Sequence, residues 1–376
     1  MSIAVDNMPD RAVFKAKPAE LAALVQRHLR LECNAMSPFA IPAEWTGGHS
    51  EESLRTATDP RFQTAAAILA QPRLRITYRK GGGQSTLEET FSVYSCASGQ
   101  GEGIVSIHDG GDQSLMVVYF PGPEAYLDWW LEQFASDVFW PPDNPISDVL
   151  SLDGLAVILH AVDCYRRAHL ESMLSYSPAV GSAITADHFA ATIASAAASR
   201  DKRWLLPAFL DLTLEGITSV SPGLEHYTAA FAAGFLHAET DNEHGRYYRF
   251  GDAAKIMGEE FRTTWLAALG WEATCLRPGG LKELSRVFLA PTAFANHLIF
   301  CLDDRQGGRD FSHHALTTGD LRITLRQWME SMTMLAVAPT AASLEALPSA
   351  SKKCPACGGD NQPKAKFCRK CGKPLA

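Results

Sequence analysis

Two stretches of the chain alternate between apolar and polar positions in short runs separated by glycine-rich turns. In the first stretch Leu74, Ile76 and Tyr78 alternate with polar residues, as a half-buried strand requires. Strands are predicted at 73–79, 90–96, 103–109 and 114–120. Apolar residues with helical spacing predict one helix before these strands, at 61–70, and another after them, at 121–134. The order is therefore helix, four strands, helix.

The same order occurs again about 200 residues further along. Strands are predicted at 272–277, 285–290, 297–302 and 312–316, and the flanking helices at 259–270 and 317–332. The sequence predicts an α+β fold with two similar αββββα units, each of which exposes a sheet face that its twin or the helices cover. The alternative is that the repeat is coincidental, because any α+β protein can be divided into such pieces.

A helical region separates the two units. Apolar periodicity predicts a long helix over 146–176 and shorter ones at 185–199, 203–216 and 222–234. Thr185 has the side chain of an N-cap residue. Residues 235–250 are predicted to form two short strands with a polar loop between them.

This region resembles a winged helix over 185–250, because three helices are followed by a hairpin. Residues 221–234 contain no Lys or Arg, so the resemblance implies packing against protein rather than reading of DNA. The units themselves resemble EspG-type cytosolic secretion chaperones through ILAQPRLRITYR, GIVSIHD and the helices that carry Leu and Trp. That resemblance implies client binding without catalysis, although the cysteine-rich tail is not part of the chaperone pattern.

Four cysteines are concentrated near the end of the chain, in CPACGGDNQPKAKFCRKCG. Cys354 and Cys357 form one CxxC pair, and Cys368 and Cys371 form the other. Each pair is followed by a glycine, which permits the tight turn that directs both sulfurs to one point. Four thiolates facing each other make a tetrahedral cage for structural Zn²⁺, with no coordination position left for water or substrate. The alternatives are two redox CxxC pairs or an iron site.

With Phe367 and Leu375, these residues resemble the C-terminal zinc-ribbon family over 354–375. The resemblance implies a small β-rich module that contacts protein or nucleic acid. An Ala/Pro/Ser-rich linker is predicted at 336–353. The predicted domains are a first α+β unit at 1–145, the helical region with the second unit at 146–335, this linker, and the zinc ribbon at 354–376.

Charge is unevenly distributed. The tail, residues 351–376, has seven Lys/Arg and one Asp and therefore a net charge of +6. Since the whole chain has a net charge of −8, the body, residues 1–350, has a net charge of −14. An acidic body repels nucleic acid over most of its surface, whereas a basic tail can contact an acidic partner. No secretory signal or membrane span is visible. The five scattered body cysteines indicate reduced thiols in a cytoplasm.

No catalytic motif stands out in the body. HAETDNEH at 237–244 fits a solvated hairpin tip, and adjacent strand residues His313 and His314 point to opposite faces, which favours a structural role. Glu259 and Glu260 have the pattern of solvated surface, and one of Trp129 and Trp130 is expected to pack inward while the other is a candidate exposed anchor.

The sequence therefore favours a cytoplasmic, bacterial-type, non-catalytic adaptor or chaperone-like scaffold for protein partners, with a structural zinc ribbon. One alternative is a nucleic-acid-associated regulator that uses the ribbon and the winged helix. Another is an enzyme whose site is assembled from distant residues. The oligomeric state is not indicated.

The zinc assignment predicts the behaviour of Cys368→Ser. Loss of one thiolate should release the metal and unfold 354–371, because about 10–16 kcal/mol of binding energy is the folding energy of so small a module. The thermal transition of the body should stay nearly unchanged. Elemental analysis and calorimetry check both statements; absence of stoichiometric zinc from the wild-type protein would contradict the first, and a large fall in body stability the second.

Overall fold

A computed structural model describes residues 4–8, 10–40, 51–82, 89–95, 103–140, 142–146, 148–177, 181, 183–214, 216–217, 219–241, 245–263, 267–303, 309–337, 352–353 and 360–361. Contacts divide the chain into two units, Met1–Ala336 and Val337–Ala376. The cysteines at 354, 357, 368 and 371 and most of the predicted linker lie outside the described residues.

Helices and strands are mixed throughout the first unit, as an α+β fold requires. The helices are α1 (Pro18–Ala23, continued by a π-helical turn Leu24–His28), α2 (Glu51–Thr58), α3 (Pro60–Ala70), α4 (Pro123–Phe134), α5 (Leu152–Leu174), α6 (Ala186–Ala198), α7 (Leu205–Thr213), α8 (Tyr227–Ala232, preceded by a 3-10 turn Leu224–His226), α9 (Asp252–Thr263) and α10 (Thr318–Val337). None of the helices in the described ranges combines the length and apolar character needed to cross a bilayer.

The strands of the first unit are β1 (Ala4–Met8), β2 (Arg11–Ala16), β3 (Leu74–Gly82), β4 (Glu89–Ser95), β5 (Ile104–Asp109), β6 (Leu115–Phe120), β7 (Leu150–Ser151), β8 (Ala183–Thr185), β9 (Leu236–Asp241), β10 (Gly245–Phe250), β11 (Ala267–Arg277), β12 (Gly280–Pro291), β13 (Asn296–Asp303) and β14 (Arg309–Leu316). The second unit contains β15 (Lys352–Lys353) and β16 (Asp360–Asn361), which pair antiparallel.

One sheet of eleven strands dominates the first unit. Its order is β1-β2-β6-β5-β4-β3-β11-β12-β13-β14-β7, and all neighbours are antiparallel. Strands β3 to β6 form one meander and β11 to β14 form another. The two meanders join where β3 pairs with β11 over nine residue pairs, from Ala267↔Gly82 to Cys275↔Leu74. We call this join the seam.

Helices cover both faces of the sheet. On one face α4 and α10 pack over both meanders, with Tyr126, Trp130, Leu325 and Trp328 directed at the strands. On the opposite face α1 and α3 cover the first meander, and α5 to α9 cover the second. The period-2 alternation of the strands is what divides their side chains between these layers, since successive residues point to opposite faces.

Trp271 occupies the centre of the seam. Its ring lies 5.2 Å from Tyr78 on the paired strand, 4.9 Å from Trp130 of α4 and 5.5 Å from Trp328 of α10, measured between ring centroids. The side chain is 2% exposed. It therefore contacts both meanders and both covering helices at once, in the tilted and edge-to-face geometries that aromatic quadrupoles favour.

The helical region contains a second, three-stranded sheet in the order β8-β10-β9. The predicted hairpin at 235–250 is confirmed, and Thr185 is the N-cap of α6 because its hydroxyl accepts a hydrogen bond from the His188 amide. The long helix predicted at 146–176 is confirmed only over Leu152–Leu174, as α5. It begins later than predicted because Leu150–Ser151 form β7, and N-cap Ser151 accepts a hydrogen bond from the Gly154 amide.

The helix predicted at 259–270 is wrong at both ends, since α9 already begins at Asp252. The helix α9 stops at Thr263, and residues from Ala267 onward belong to β11. Strand pairing on both sides, with β3 and β12, overrides the helical propensity of the Ala/Leu run. A Cβ atom at Gly270 would clash with the Leu212 carbonyl at the end of α7, so glycine permits this close approach.

The seam predicts that Trp271→Ala destabilises the whole first unit. Removing a buried Trp typically costs about 3–5 kcal/mol through lost burial and the cavity left behind. Trp140→Ala is the matched control, since Trp140 is 84% exposed and its loss should change stability by less than about 0.5 kcal/mol. Urea denaturation measures both. Equal stability for the two variants would contradict a central role for Trp271.

Candidate functional site

An apolar groove lies between the sheet and the second half of α10. Its floor is formed by Leu74 and Ile76 of β3, Val93 of β4 and Ile104 of β5, which share one face of the first meander. Met329, Thr333 and Met334 of α10 form one wall, since residues four apart lie on the same side of a helix. Pro123, the first residue of α4, lies at the other side.

The groove has a volume of about 490 Å³. That is within the range of about 300–1,000 Å³ typical of ligand-binding clefts. Met334 is 67% exposed, so the groove is open to solvent along α10. Because its floor comes from β3–β5 and its wall from α10, the groove combines residues about 230–260 positions apart in the chain.

Charged groups at the rim hold α4 against α10. Arg322 and Arg326 of α10 contact the Glu124 carboxylate at 2.8 and 3.1 Å, and Arg322 also contacts Asp128 at 2.9 Å. Hydrogen bonds from the two guanidinium groups lower the pKa of Glu124. These pairs are exposed, so each contributes little to stability, but together they fix the relative position of the two helices beside the groove.

A chain of polar side chains connects α9, β13, β14 and the segment after α4. His297 Nε2 lies 2.8 Å from Glu260 Oε2, His297 Nδ1 lies 3.0 Å from His313 Nε2, and His313 Nδ1 lies 2.8 Å from Asn144 Oδ1. Asn144 Nδ2 donates to the His313 carbonyl at 3.3 Å, which leaves Oδ1 to accept from His313 Nδ1. His313 Nε2 is then the acceptor for His297 Nδ1, and His297 Nε2 completes the chain at Glu260.

This chain corrects the prediction of a solvated Glu259–Glu260 pair. The Glu260 side chain is only 14% exposed, and Glu259 binds Arg262 and His169. Strand alternation does place His313 inside, 3% exposed. Burial, followed by the charge on His297, lowers the pKa of His313 and keeps it neutral. Paired and internally hydrogen-bonded, these groups join elements of the fold rather than face a substrate cavity.

His160 and Cys164 form a second pair, one turn apart on α5. Cys164 Sγ lies 3.3 Å from His160 Nε2, which also contacts Thr192 Oγ1 at 3.0 Å. Burial raises the pKa of Cys164 to about 12 and lowers the pKa of His160 to about 3. A nucleophilic Cys–His pair needs a thiolate and an imidazolium, which are the two forms that burial disfavours here.

The remaining candidates from the sequence are placed as follows. Trp130 is buried, but Trp129 is not an exposed anchor, since it is half-buried against His108, Phe120 and Phe134. In the stretch predicted as a hairpin tip, Glu239 binds Arg249 at 2.9 Å, and 242–244 lie outside the described residues. Within the described ranges there is no group of three or more His, Cys, Asp or Glu side chains that could hold a metal.

The sequence did not reveal the groove, because its parts are ordinary core positions in separate elements. Leu74 and Ile76 belong to the buried face of a predicted strand, and Met329 lies within the helix predicted at 317–332. The sequence of α10 contains one weak indication of a groove. Thr333 and Met334 make its apolar face wider than a helix needs in order to pack against a single neighbour. Comparison with protein-family models and with curated proteins found no match to this chain.

The buried His160 predicts a defined pH dependence of stability. Its pKa is about 3 in the folded state against 6.5 for the ordinary side chain, so the unfolded state binds more protons between these values. The stabilisation is complete above pH 6.5 and is lost as the pH falls below it, by about 2 kcal/mol at pH 5. His160→Gln should remove this dependence.

Chemical denaturation at pH 8 and pH 5 measures the effect. The stability difference between wild type and His160→Gln should shrink by about 2 kcal/mol on acidification. His237→Gln, at an exposed position, should parallel wild type at both pH values. If the stability of His160→Gln changed between pH 8 and pH 5 as much as that of wild type, His160 would titrate normally in the folded protein.

Proposed function

We propose that the protein is a non-catalytic cytoplasmic adaptor or chaperone-like scaffold, whose groove holds an apolar segment of a partner protein. The observation that carries the proposal is the groove itself: an apolar floor of strand side chains beside a methionine-bearing helix. Methionine side chains are unbranched and polarisable, and they adapt to different apolar partners. The described ionisable clusters support this proposal, because each is neutralised or committed to the fold.

A protein segment suits the groove because it is open along α10. Apolar anchors of an extended or helical peptide can enter such a groove while the rest of the peptide stays in water. Glu330 lies at the rim, and so does Arg326, which is paired with Glu124. Exposed apolar surface of this kind marks sites of interaction in proteins.

The zinc ribbon is proposed as a second contact point. The spacing of its two CxxC pairs supports four thiolate ligands on one ion. In the part of the tail that the structure describes, Lys352 pairs with Asn361 and Lys353 with Asp360. The basic residues of the tail then favour an acidic partner surface.

We also propose that the body arose by internal duplication of an αββββα unit. The order α3, β3–β6, α4 matches the order α9, β11–β14, α10. In the sheet the two meanders run outward from the seam in opposite directions, which places equivalent elements about an approximate two-fold axis between β3 and β11. Such an arrangement buries two edge strands that a single unit would expose.

The proposal predicts that Met334→Glu abolishes partner binding. A carboxylate in the groove would have to be desolvated by an apolar ligand, which costs several kcal/mol. Leu335→Glu is the matched control, because Leu335 is the neighbouring exposed residue and does not line the groove. Both variants, wild type and a chain lacking 351–376 are purified from native cells, and the bound proteins are quantified.

Arrays of peptides from the enriched proteins then identify the bound segments. We expect short apolar segments that bind wild type and Leu335→Glu but not Met334→Glu, with unchanged thermal transitions for all. Retention of the same partners by Met334→Glu would refute the groove as the site. Loss of all partners only on removal of 351–376 would assign binding to the tail instead.

A further inference from the structure

A second cavity, which shares no residue with the groove, lies between α5, α6 and the segment that leads into α7. Its volume is about 230 Å³. Six polar or aromatic side chains of its lining matter here: His160, Arg167, Thr192, Ser195, Ser199 and Trp204. Cys164, Ala196 and Pro207 are also part of the lining.

The two carboxylates in the lining are fully committed to other groups. Asp163 pairs with the buried Arg166 at 2.9 Å and accepts hydrogen bonds from two backbone amides at the start of α7, each also at 2.9 Å. Asp201 accepts two hydrogen bonds from Arg203, at 2.8 and 2.7 Å. Each negative charge is therefore neutralised by a neighbouring arginine.

Arg167 is the lining cation that has no such partner. Among the described residues no carboxylate lies within ion-pair distance of its guanidinium group. Its Cζ lies 5.3 Å from the ring centroid of Trp204, a cation–π contact that holds the guanidinium at the cavity. Because Asp163 and Asp201 are compensated, Arg167 gives the lining a net positive charge.

Two further side chains of the lining have unused hydrogen-bonding capacity. Ser199 Oγ accepts from the Asp201 amide at 3.1 Å, and its own hydroxyl hydrogen has no acceptor among the described residues. His160 is 3% exposed, and its Nδ1 is buried without a hydrogen bond in the part of the chain that the structure describes. Buried polar atoms are normally satisfied, so a polar ligand or water at this position is expected.

We propose that this cavity binds a small oxyanion, with Arg167 as the charged anchor and Ser199 as a hydroxyl donor. A guanidinium group binds phosphate and carboxylate oxygens in a bidentate fashion, and Trp204 pre-organises it for that contact. At about 30 Å³ per water molecule, the volume corresponds to roughly eight waters. It suits phosphate, a short phosphate monoester or a dicarboxylate, and it is too small for a nucleotide.

Isothermal titration calorimetry of the full chain with inorganic phosphate, glycerol 3-phosphate and succinate tests the proposal, at constant ionic strength set with NaCl. Wild type should bind at least one of these anions saturably. Arg167→Gln should weaken binding by roughly tenfold or more, the effect of losing one charge-assisted contact. Arg200→Gln, an exposed arginine of the same segment that does not line the cavity, should bind as wild type does.

Ser195→Phe provides a test that leaves the charge intact. Ser195 is exposed on α6, and its hydroxyl donates a hydrogen bond to the Ala191 carbonyl oxygen. The phenylalanine ring should therefore fill the cavity without unfolding the helix. We expect weaker anion binding with an unchanged thermal transition. The proposal is overturned if wild type binds none of the three anions at about 10 mM, the weakest binding of interest. It is also overturned if Arg167→Gln and Arg200→Gln bind equally, or if Ser195→Phe binds as wild type does.

Discussion

The pairing of β3 with β11 is the contact on which the rest of the first unit depends. It joins two meanders into one sheet, and it places Trp271 where Tyr78, Trp130 and Trp328 converge. Without this seam each meander would expose an unpaired edge, and α4 and α10 would lose their common floor. The groove depends on it as well, because α10 follows the second meander and the floor of the groove belongs to the first.

Several buried or half-buried charges of the described body are paired within the fold. Glu260 and His297 form a shielded pair, Asp163 is enclosed by Arg166 and two amides, and Glu239 is bound by Arg249. Buried ionisable groups of this kind cost stability unless they are paired, so their pairing explains why they are tolerated. Among the described residues, the apolar groove and Arg167 are the two candidates for recognition that we propose, and their chemistry is opposite.

The sequence predicted the local elements well where periodicity was strong. Alternation at Leu74, Ile76 and Tyr78 identified β3, and Thr185 identified the start of α6. It did not predict the seam, because strand pairing between β3 and β11 is a contact across about 200 residues that leaves no local pattern. The same limit applies to Glu260, whose partner His297 is 37 residues away, and to the Ala267–Gly270 segment, where pairing overrode helix propensity.

The candidate sites divide along the same line. The zinc ligands proposed at Cys354, Cys357, Cys368 and Cys371 follow from spacing alone, since the two cysteines of a CxxC pair are close together in sequence. The groove and the oxyanion cavity were not, because each is assembled from elements that meet only in the folded chain. Their chemistry follows from which side chains the fold leaves without a partner, and that can be decided only after all contacts are known.

Photo-cross-linking from the groove in native cells tests the central claim most directly. A benzophenone amino acid replaces Met334, and the same substitution at Leu335 serves as the reference position. The account predicts that position 334 becomes covalently attached to short apolar segments of partner proteins, well above the level at position 335. Equal labelling from both positions, or no protein attached at 334, would contradict it.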